Sequence, residues 1–318
     1  MAHDLGARVA DHVLENGGSL TRRDLAEYRV IWRRPIRTIF ERELFVSNPP
    51  PSSGGVLIGY ALALLERLGA SGPAGSAESI QALVAVMRET VGARQGSFAG
   101  DLYRGGLARR LYSEETIRAA LDRIERSEPG AREQVGAPGT THISAVDGHG
   151  NAASLTASTG AGSGVIVPGT GIHLNNMLGE YDLNPVGSGA TPGRRLTSMM
   201  APSLVLRGSR PHLVVGSAGS IRLRGAILQL VVNVVRHRMP VEEAISAPRI
   251  HVDDGHVHCE GGADQQELDR FERLGYELIR WRRRNLYFGG VAAVEVREDG
   301  SLHAAGDPRR GGHGIVVA

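Results

Sequence analysis

Apolar positions in the first 126 residues recur mainly at helical spacing. This spacing predicts a helix over residues 3–16, which ends at Gly17. Thr21 and Asp24 have the spacing of a capping box, which predicts a short helix that continues through Tyr28. The remaining predictions are helices over residues 56–68, 77–94 and 114–126, one strand over 36–46, and a loop over 127–139.

The pattern changes at Thr140, where short alternating segments and glycine-rich turns are typical of strands. Helices followed by strands and then by a mixture predict a layered α+β fold. The predicted elements are a hairpin over 142–146 and 152–157, a strand pair over 204–206 and 213–215, a helix over 220–236, and a strand, a helix and two final strands over 249–306.

The composition excludes several classes of function. The chain has 318 residues, of which 41% are hydrophobic and 22% charged, with a formal net charge of +2. It is therefore neither a disordered chain nor a strongly basic nucleic-acid binder. It contains no lysine, which excludes a Walker A loop and a Schiff base, and its single cysteine, Cys259, excludes an internal disulfide. Since it has neither a long apolar run nor a signal sequence, we expect a cytoplasmic protein without membrane contact.

Residues 138–142, Pro-Gly-Thr-Thr-His, stand where the predicted loop meets the first strand of the hairpin. A threonine hydroxyl is a weak nucleophile and needs a neighbouring base. If the peptide bond between Gly139 and Thr140 is cleaved, the new α-amine of Thr140 supplies that base. Glycine before the threonine suits such a cleavage, because the attacked peptide must be strained and sterically open. The alternative is a β-branched pair that merely starts a strand.

Residues 216–220, Gly-Ser-Ala-Gly-Ser, precede a predicted apolar helix. Backbone N–H groups at such a turn and at a helix N-terminus can bind an anion. An acyl-transfer enzyme needs donors of this kind where negative charge develops. The alternative is a tight turn that needs positive φ and binds no ligand.

Two further segments carry polar side chains that could bind a charged group. Asn175 and Asn176 precede the carboxylates of Glu180 and Asp182, and together they could hold an ammonium group or stabilise a loop by bonding its backbone. The hydroxyls of residues 197–198 could bind a carboxylate or cap a turn ahead of a strand. The residues alone leave these alternatives open.

A competing hypothesis is a metal-dependent hydrolase. On a strand, His256, His258 and Glu260 would share one face. Two histidines and a carboxylate are a known metal-binding set. The alternative is a solvated hairpin of polar residues.

Taken in order, these segments resemble the γ-glutamyltranspeptidase family of N-terminal-nucleophile hydrolases. The resemblance covers nearly the whole chain and consists of many ordered matches, each weak alone. The matching segments are residues 17–21, 24–28, 49–55 (Pro-Pro-Pro-Ser-Ser-Gly-Gly), 140–147, 150–151, 175–176, 196–199, the turn at Gly216, 247–251 (Ala-Pro-Arg-Ile-His) and 306–310 (Gly-Asp-Pro-Arg-Arg).

The resemblance implies a four-layer αββα sandwich whose members cleave themselves into two subunits. Residues 1–139 correspond to a C-terminal remnant of the large (α) subunit, and residues 140–318 to the small (β) subunit with an N-terminal threonine. The large subunit of the family is normally much longer. We therefore expect the N-terminal part of the sandwich to be truncated here, together with an arginine that clamps the substrate carboxylate.

The resemblance also implies roles for individual residues. Autocleavage falls between Gly139 and Thr140, after which Thr140 is the nucleophile and Ser158 its hydrogen-bond partner. The other implied roles are the oxyanion hole for Gly219 and Ser220, binding of the substrate α-carboxylate for Thr197 and Ser198, and binding of the α-ammonium group for Glu180.

The implied reaction is attack of Thr140 on a γ-glutamyl amide such as glutathione, release of the amine, and hydrolysis or transfer to an acceptor amine. We therefore expect a zymogen that matures to a heterodimer with its own cleaved subunit, alone or as a homodimer of heterodimers. We expect no cofactor, no metal, no nucleic acid and no membrane as partners.

Four departures from the family pattern concern activity and specificity. Besides the short N-terminal part, Gly160 stands where typical members have a substrate-binding asparagine. Met177 and Glu180 alter the loop around the α-amino group, and the short stretch 184–195 reduces any lid. Two alternatives therefore stand beside the γ-glutamyl enzyme. One is an inactive or fragmentary family remnant, and the other is a related acylase, such as a cephalosporin acylase, with altered specificity.

Overall fold

The computed structural model describes residues 2–69, 72–126, 139–180, 191–253 and 255–317. The loop predicted over 127–139 lies outside the described residues except for its last position, Gly139, and so does most of the shortened stretch 184–195. Three residues of the sequence motifs, Pro138, Asp182 and Asp254, lie outside them as well.

Most helices precede Thr140 and most strands follow it, as the sequence predicts. The α-helices are α1 Ala2–Glu15, α2 Arg22–Glu27, α3 Gly54–Leu68, α4 Ala77–Gly92, α5 Phe98–Arg104, α6 Leu107–Leu111, α7 Glu114–Glu125, α8 Arg222–Val231, α9 Val241–Ser246 and α10 Gln265–Arg273. The strands are β1 Ile36–Phe40, β2 Glu43–Ser47, β3 Thr140–Val146, β4 Ala152–Ser158, β5 Ser203–Arg207, β6 Arg210–Ala218, β7 Ile250–Asp253, β8 His256–Cys259, β9 Leu278–Arg280, β10 Gly290–Val296 and β11 Leu302–Gly306. Within the described residues, no helix combines the length and the apolar character needed to cross a membrane.

A six-stranded antiparallel sheet in the order β1-β2-β5-β6-β10-β11 forms the centre of the molecule. Strand β2 pairs with β5, with Leu44 opposite Leu206 and Ser47 opposite Ser203. The segments on either side of Gly139 therefore share one sheet, although a subunit boundary at that residue stays a prediction.

Helices α3 and α8 cover one face of this sheet. Helix α3 packs on β1 and β2 and against α4 and α8, so nearly all of its positions from Gly54 to Leu65 are buried. A helix that is apolar on all sides is stable only in such surroundings. Gly55 allows the close approach of its first turn, because a Cβ atom there would lie 2.5 Å from Ser47 Oγ of β2.

The β3–β4 hairpin lies on the opposite face of the sheet, against β6 and β10. Its side chains alternate between partly buried and exposed positions. On the inner face, Ser144 Oγ donates a hydrogen bond to Ala292 O at 3.1 Å, and Ser154 Oγ donates one to Val215 O at 3.1 Å. The hairpin is thus attached to the sheet by small polar side chains.

The outer face of the hairpin is apolar and open. Ile143 and Leu155 are paired across it and are 59% and 61% exposed. The helices, the central sheet and the β3–β4 hairpin therefore pack as successive layers. This arrangement confirms the α+β fold and gives three layers of the expected αββα sandwich.

Several element predictions are incomplete or wrong in detail. The single strand predicted over 36–46 is a hairpin, because Glu41 and Arg42 adopt φ values of 50° and 66°. Such values suit a two-residue hairpin turn, but neither residue belongs to the types that usually signal one. Helices α5 and α6 were not predicted, nor were β8 and β9, which form a three-stranded sheet with β7. The helix predicted over 220–236 ends in a π-helical turn, Val232–Arg236.

Four buried charges join the start of β7 to the C-terminal region. Arg249 Nη2 donates to Asp307 Oδ2 at 2.5 Å, and Arg309 Nε donates to both carboxylate oxygens of Glu260 at 2.8 and 3.0 Å. Burial opposes ionisation of Asp307, but the charges of Arg249 and Arg309 hold the pKa of its carboxyl below the usual value. Each charge therefore keeps a partner of opposite sign in the interior.

We expect the substitution Arg309→Met to destabilise the fold by about 3–5 kcal/mol, because it leaves the buried carboxylate of Glu260 without its main counter-charge. Urea unfolding followed by circular dichroism measures this change. The matched control is Arg22→Met, since Arg22 pairs with Asp11 at an exposed site, where an ion pair contributes about 0–1 kcal/mol. Equal losses for the two variants would contradict a special role for the buried pair.

Candidate active site

Thr140 is the first residue of β3 and lies opposite Ser158, the last residue of β4. The side-chain oxygens Thr140 Oγ1 and Ser158 Oγ are 3.0 Å apart, which is a hydrogen-bond distance. Residues directly opposite on paired strands point to the same face of the sheet. The register of the hairpin therefore brings the two predicted partners together.

The peptide bond before Thr140 is closely held. Gly139 O accepts hydrogen bonds from Thr159 N at 3.3 Å and from Ser158 Oγ at 3.5 Å. A Cβ atom at Gly139 would overlap the carbonyl oxygen of Gly160, so only glycine fits here without a backbone shift. Donors aimed at a carbonyl oxygen favour attack on its carbon, because they stabilise the negative charge that develops.

Glu180 lies beside the same turn. Gly160 has a φ of 66°, and a Cβ atom there would overlap both Asn176 Oδ1 and Glu180 Oε1. The space next to Gly160, where the family typically has an asparagine side chain, is thus taken by two neighbouring side chains. The structure therefore brings the Glu180 carboxylate close to the end of the nucleophile hairpin.

The two asparagines bond to backbone groups. Asn175 Oδ1 accepts a hydrogen bond from Met177 N of its own loop at 3.0 Å, and Asn176 Oδ1 accepts one from Ala161 N, in the turn after β4, at 2.8 Å. Asn175 therefore fits the loop-stabilising alternative, and Asn176 joins the loop to the end of the nucleophile hairpin.

The predicted oxyanion turn lies between β6 and α8. Gly219 has a φ of 133° and Ser220 a φ of 55°, so a residue other than glycine adopts the left-handed conformation at this point. Arg222 N donates a hydrogen bond to Gly219 O at 3.1 Å and closes the turn. The positive φ that the sequence pattern implied is confirmed, whereas the role of the turn as an oxyanion hole stays a prediction.

His142, which sequence reasoning did not single out, joins the two strands of the nucleophile hairpin. Its Nδ1 is 2.7 Å from Thr156 Oγ1, and its Nε2 is 2.9 Å from Ser144 Oγ. Burial lowers the pKa of His142 to about 4, so its ring is neutral near pH 7. The available signal was its position two residues after Thr140, on the same face of the strand.

His142 also touches the central sheet. Its ring lies against Gly216 of β6, where a Cβ atom would overlap it. His142 therefore lies over the strand that leads into the predicted oxyanion turn.

Ser198 lies against the proline-rich segment 49–55, and Thr197 beside it in the chain is buried. Ser198 O accepts hydrogen bonds from Ser53 N at 2.7 Å and from Ser52 Oγ at 3.0 Å. Ser198 Oγ accepts one from the backbone N–H two residues further on, which agrees with the turn-capping alternative. The proline-rich segment thus supports Ser198, and the carboxylate-binding role of Thr197 and Ser198 stays a prediction.

The metal site proposed as a competing hypothesis is not formed. His256 Nε2 is 3.2 Å from Glu277 Oε2, His258 accepts a hydrogen bond from Trp281 Nε1, and Glu260 is engaged by Arg309. Strand β8 ends at Cys259, so Glu260 no longer follows the strand alternation that would align it with the histidines. Over the described ranges, no group of three or more His, Cys, Asp or Glu side chains could hold a metal ion.

Comparisons with known proteins identify the family. The family model described as gamma-glutamyltranspeptidase matches residues 2–317. The acylase ACY 1 proenzyme of Pseudomonas sp. (strain SE83) is 30% identical over 325 residues, which cover 99% of this chain and 57% of the relative. The glutathione hydrolase proenzyme of Pseudomonas aeruginosa is 31% identical over 334 residues, which cover 95% of this chain and 58% of the relative.

The fold is also that of a solved structure. The crystal structure of cephalosporin acylase from Bacillus halodurans matches 98% of this chain and 58% of its own, with a TM-score of 0.79 at 23% identity. This chain spans 57% and 58% of the length of the acylase and glutathione hydrolase relatives. Because both the family model and these relatives match nearly all of it, the chain belongs to the gamma-glutamyltranspeptidase family.

Proposed function

We propose that this chain carries the nucleophile of an autoprocessing amide hydrolase or acyltransferase that acts on γ-glutamyl amides. The observation that supports this most directly is the pairing of Thr140 Oγ1 with Ser158 Oγ at 3.0 Å, next to the closely held carbonyl of Gly139. Relatives named as a glutathione hydrolase and as acylases agree with an acyl-transfer reaction. A location in the cytoplasm stays a prediction.

Self-cleavage begins with attack of Thr140 Oγ1 on the carbonyl carbon of Gly139. The C–N bond between Gly139 and Thr140 breaks, and the proton of the hydroxyl passes to the departing nitrogen. The product is an ester between Gly139 and the Thr140 side chain, which water hydrolyses to a Gly139 carboxylate and a free threonine N-terminus. The donors on Gly139 O support the negative charge that forms in both steps.

Turnover uses the α-amine that cleavage creates. This amine accepts the proton of the Thr140 hydroxyl, which attacks the substrate amide and forms an acyl ester as the amine product leaves. Water or an acceptor amine then releases the acyl group. In this proposal, the turn at Gly219–Ser220 binds the oxyanion, Thr197–Ser198 the α-carboxylate and Glu180 the α-ammonium group.

The partner proposed for the small subunit is its own cleaved N-terminal piece. Strand β2 lies before Gly139 and pairs with β5, which follows it. Helix α3 also lies before Gly139 and packs against α8. The two pieces are thus held together by sheet hydrogen bonds and by a shared apolar core, which supports a heterodimer.

A non-catalytic remnant of the same fold is the second candidate. The observation that favours it is the open outer face of the hairpin around Ile143 and Leu155, since a remnant is expected to expose apolar surface where a lost half once packed. The remnant retains the fold but does not cleave itself.

Intact-mass measurement of the purified protein distinguishes the two candidates. We expect the wild type to separate into residues 1–139 and 140–318 on incubation, and Thr140→Ala to stay whole because it lacks the attacking oxygen. The matched control is Thr141→Ala, whose side chain lies on the exposed face of the same strand. A wild-type chain that stays whole supports the remnant, and cleavage of Thr140→Ala excludes the proposed mechanism.

We expect Gly139→Ala to slow cleavage by at least about 100-fold, because a misplaced reacting group costs about that factor and the new methyl group must displace Gly160. The rate of appearance of the two pieces on denaturing gels measures this effect. Gly148→Ala is the control, since a Cβ atom there meets nothing within 4 Å. Similar cleavage rates for both variants would show that the close approach at Gly139 is unimportant.

We expect Glu180→Gln to lower kcat/KM for a γ-glutamyl anilide by about 10- to 100-fold, because a charge-assisted hydrogen bond to the substrate ammonium group is lost. The glutaryl anilide has no ammonium group, so the same variant should change its hydrolysis by less than about twofold. Release of the coloured amine measures both rates. Equal losses on the two substrates would refute the ammonium-binding role of Glu180.

A further inference from the structure

The Gly219–Ser220 turn depends on its neighbours for its conformation. Ser220 adopts a φ of 55°, a value that residues other than glycine rarely adopt. Gly219 lies directly against Gly289, since a Cβ atom on Gly219 would come within 2.7 Å of Gly289 Cα. A Cβ atom on Gly289 would in turn lie 3.1 Å from Ala218 O. The position of the segment before Gly289 therefore determines the conformation of the Gly219–Ser220 turn.

Tyr287 is the centre of that segment, in the 3-10 turn Leu286–Phe288. Its ring stacks on Trp281 with the ring centroids 4.8 Å apart, and it lies 5.1 Å from the ring of His258. Its hydroxyl donates a hydrogen bond to Asp253 Oδ2 at 3.2 Å. Tyr287 is thus held by the three-stranded sheet, whose aromatic cluster the proposed reaction does not otherwise use.

Arg222 reaches the same tyrosine from the other side of the turn. It is the first residue of α8, and its backbone N–H closes the turn on Gly219 O. Its guanidinium carbon lies 4.2 Å from the centroid of the Tyr287 ring, and its Nη2 lies 3.9 Å from Asp253 Oδ2. A cation at a helix N-terminus is destabilised by the positive end of the helix dipole. The Arg222 guanidinium therefore depends on the Tyr287 ring and the Asp253 carboxylate for its stability.

We propose that Arg222, Tyr287 and Asp253 form a clamp that positions the Gly219–Ser220 turn for oxyanion binding. Arg222 holds the turn from its helical side, Tyr287 holds the segment that packs on it, and Asp253 bonds to the tyrosine and faces the arginine. The three are positioning residues, since they act through the turn and not on the substrate. This inference rests on the proposed function.

The neighbours of Tyr287 are fixed independently. Asn285 N donates to Glu260 Oε1 at 2.8 Å, and Gly289 O accepts from Arg249 Nη1 at 3.1 Å. A substitution at Tyr287 therefore leaves the segment attached at both ends. It is expected to loosen the turn without unfolding the protein.

The test compares Tyr287→Leu with Tyr287→Phe in steady-state kinetics on the γ-glutamyl anilide, with rates expressed per mole of new Thr140 N-termini. We expect Tyr287→Leu to lower kcat by about 10- to 100-fold and to change KM by less than about threefold, because the oxyanion forms only in the transition state. Tyr287→Phe keeps the ring face under Arg222 but loses the hydrogen bond to Asp253, so it should recover only part of the loss.

The matched control is Tyr276→Leu. Tyr276 also stacks on an aromatic ring, that of Phe271, and also has an arginine, Arg88, over its face, but it belongs to the segment that follows α10. An equal loss of kcat in Tyr276→Leu, or a lower urea midpoint in Tyr287→Leu with kcat unchanged, would show a purely structural role and overturn the clamp.

Thr140→Ala in the same assay separates this inference from the function on which it rests. Turnover in the wild type that does not depend on Thr140, or no turnover at all, overturns the proposed function and the clamp with it. Thr140-dependent turnover that Tyr287→Leu leaves intact overturns the clamp alone. Thr140-dependent turnover in which Tyr287→Leu lowers kcat and leaves KM nearly unchanged supports both the proposed function and the clamp.

Discussion

Hydrogen bonds from small side chains on one hairpin to the backbone of the central sheet hold the candidate nucleophile in place. Ser144 and Ser154 bond to carbonyl groups of β10 and β6, and His142, two residues before Ser144, lies over Gly216 of β6. An inner face of leucines would also pack, but apolar contacts are non-directional and specify register less strictly. Because each of these hydrogen bonds forms at only one alignment of the hairpin on the sheet, the central sheet determines the position of Thr140.

Close backbone contacts impose a second constraint at both halves of the candidate site. Gly139 lies against Gly160 beside the nucleophile, and Gly219 lies against Gly289 beside the predicted oxyanion turn. Side chains at these positions would separate segments that must touch. The chemistry of the site therefore depends as much on where side chains are absent as on the hydroxyls themselves.

Local patterns in the sequence predicted the elements that are governed by local physics. The nucleophile hairpin and α3 were found because alternation and uniform apolarity are visible over a few residues. The β1–β2 hairpin was missed because Glu41 and Arg42 do not belong to the usual turn types. The proposed metal set failed because the partner of Glu260 is Arg309, 49 residues away, and no local spacing reveals such a contact.

The pairing of β2 with β5 has a consequence for how the protein reaches its fold. In an intact chain the two strands meet in a first-order process whose rate does not depend on concentration. After a cut at Gly139 they would belong to separate molecules, and the same sheet could re-form only through a second-order encounter. The uncut chain would then be the form whose folding rate does not depend on its concentration. Maturation would remove this property and create the catalytic N-terminus.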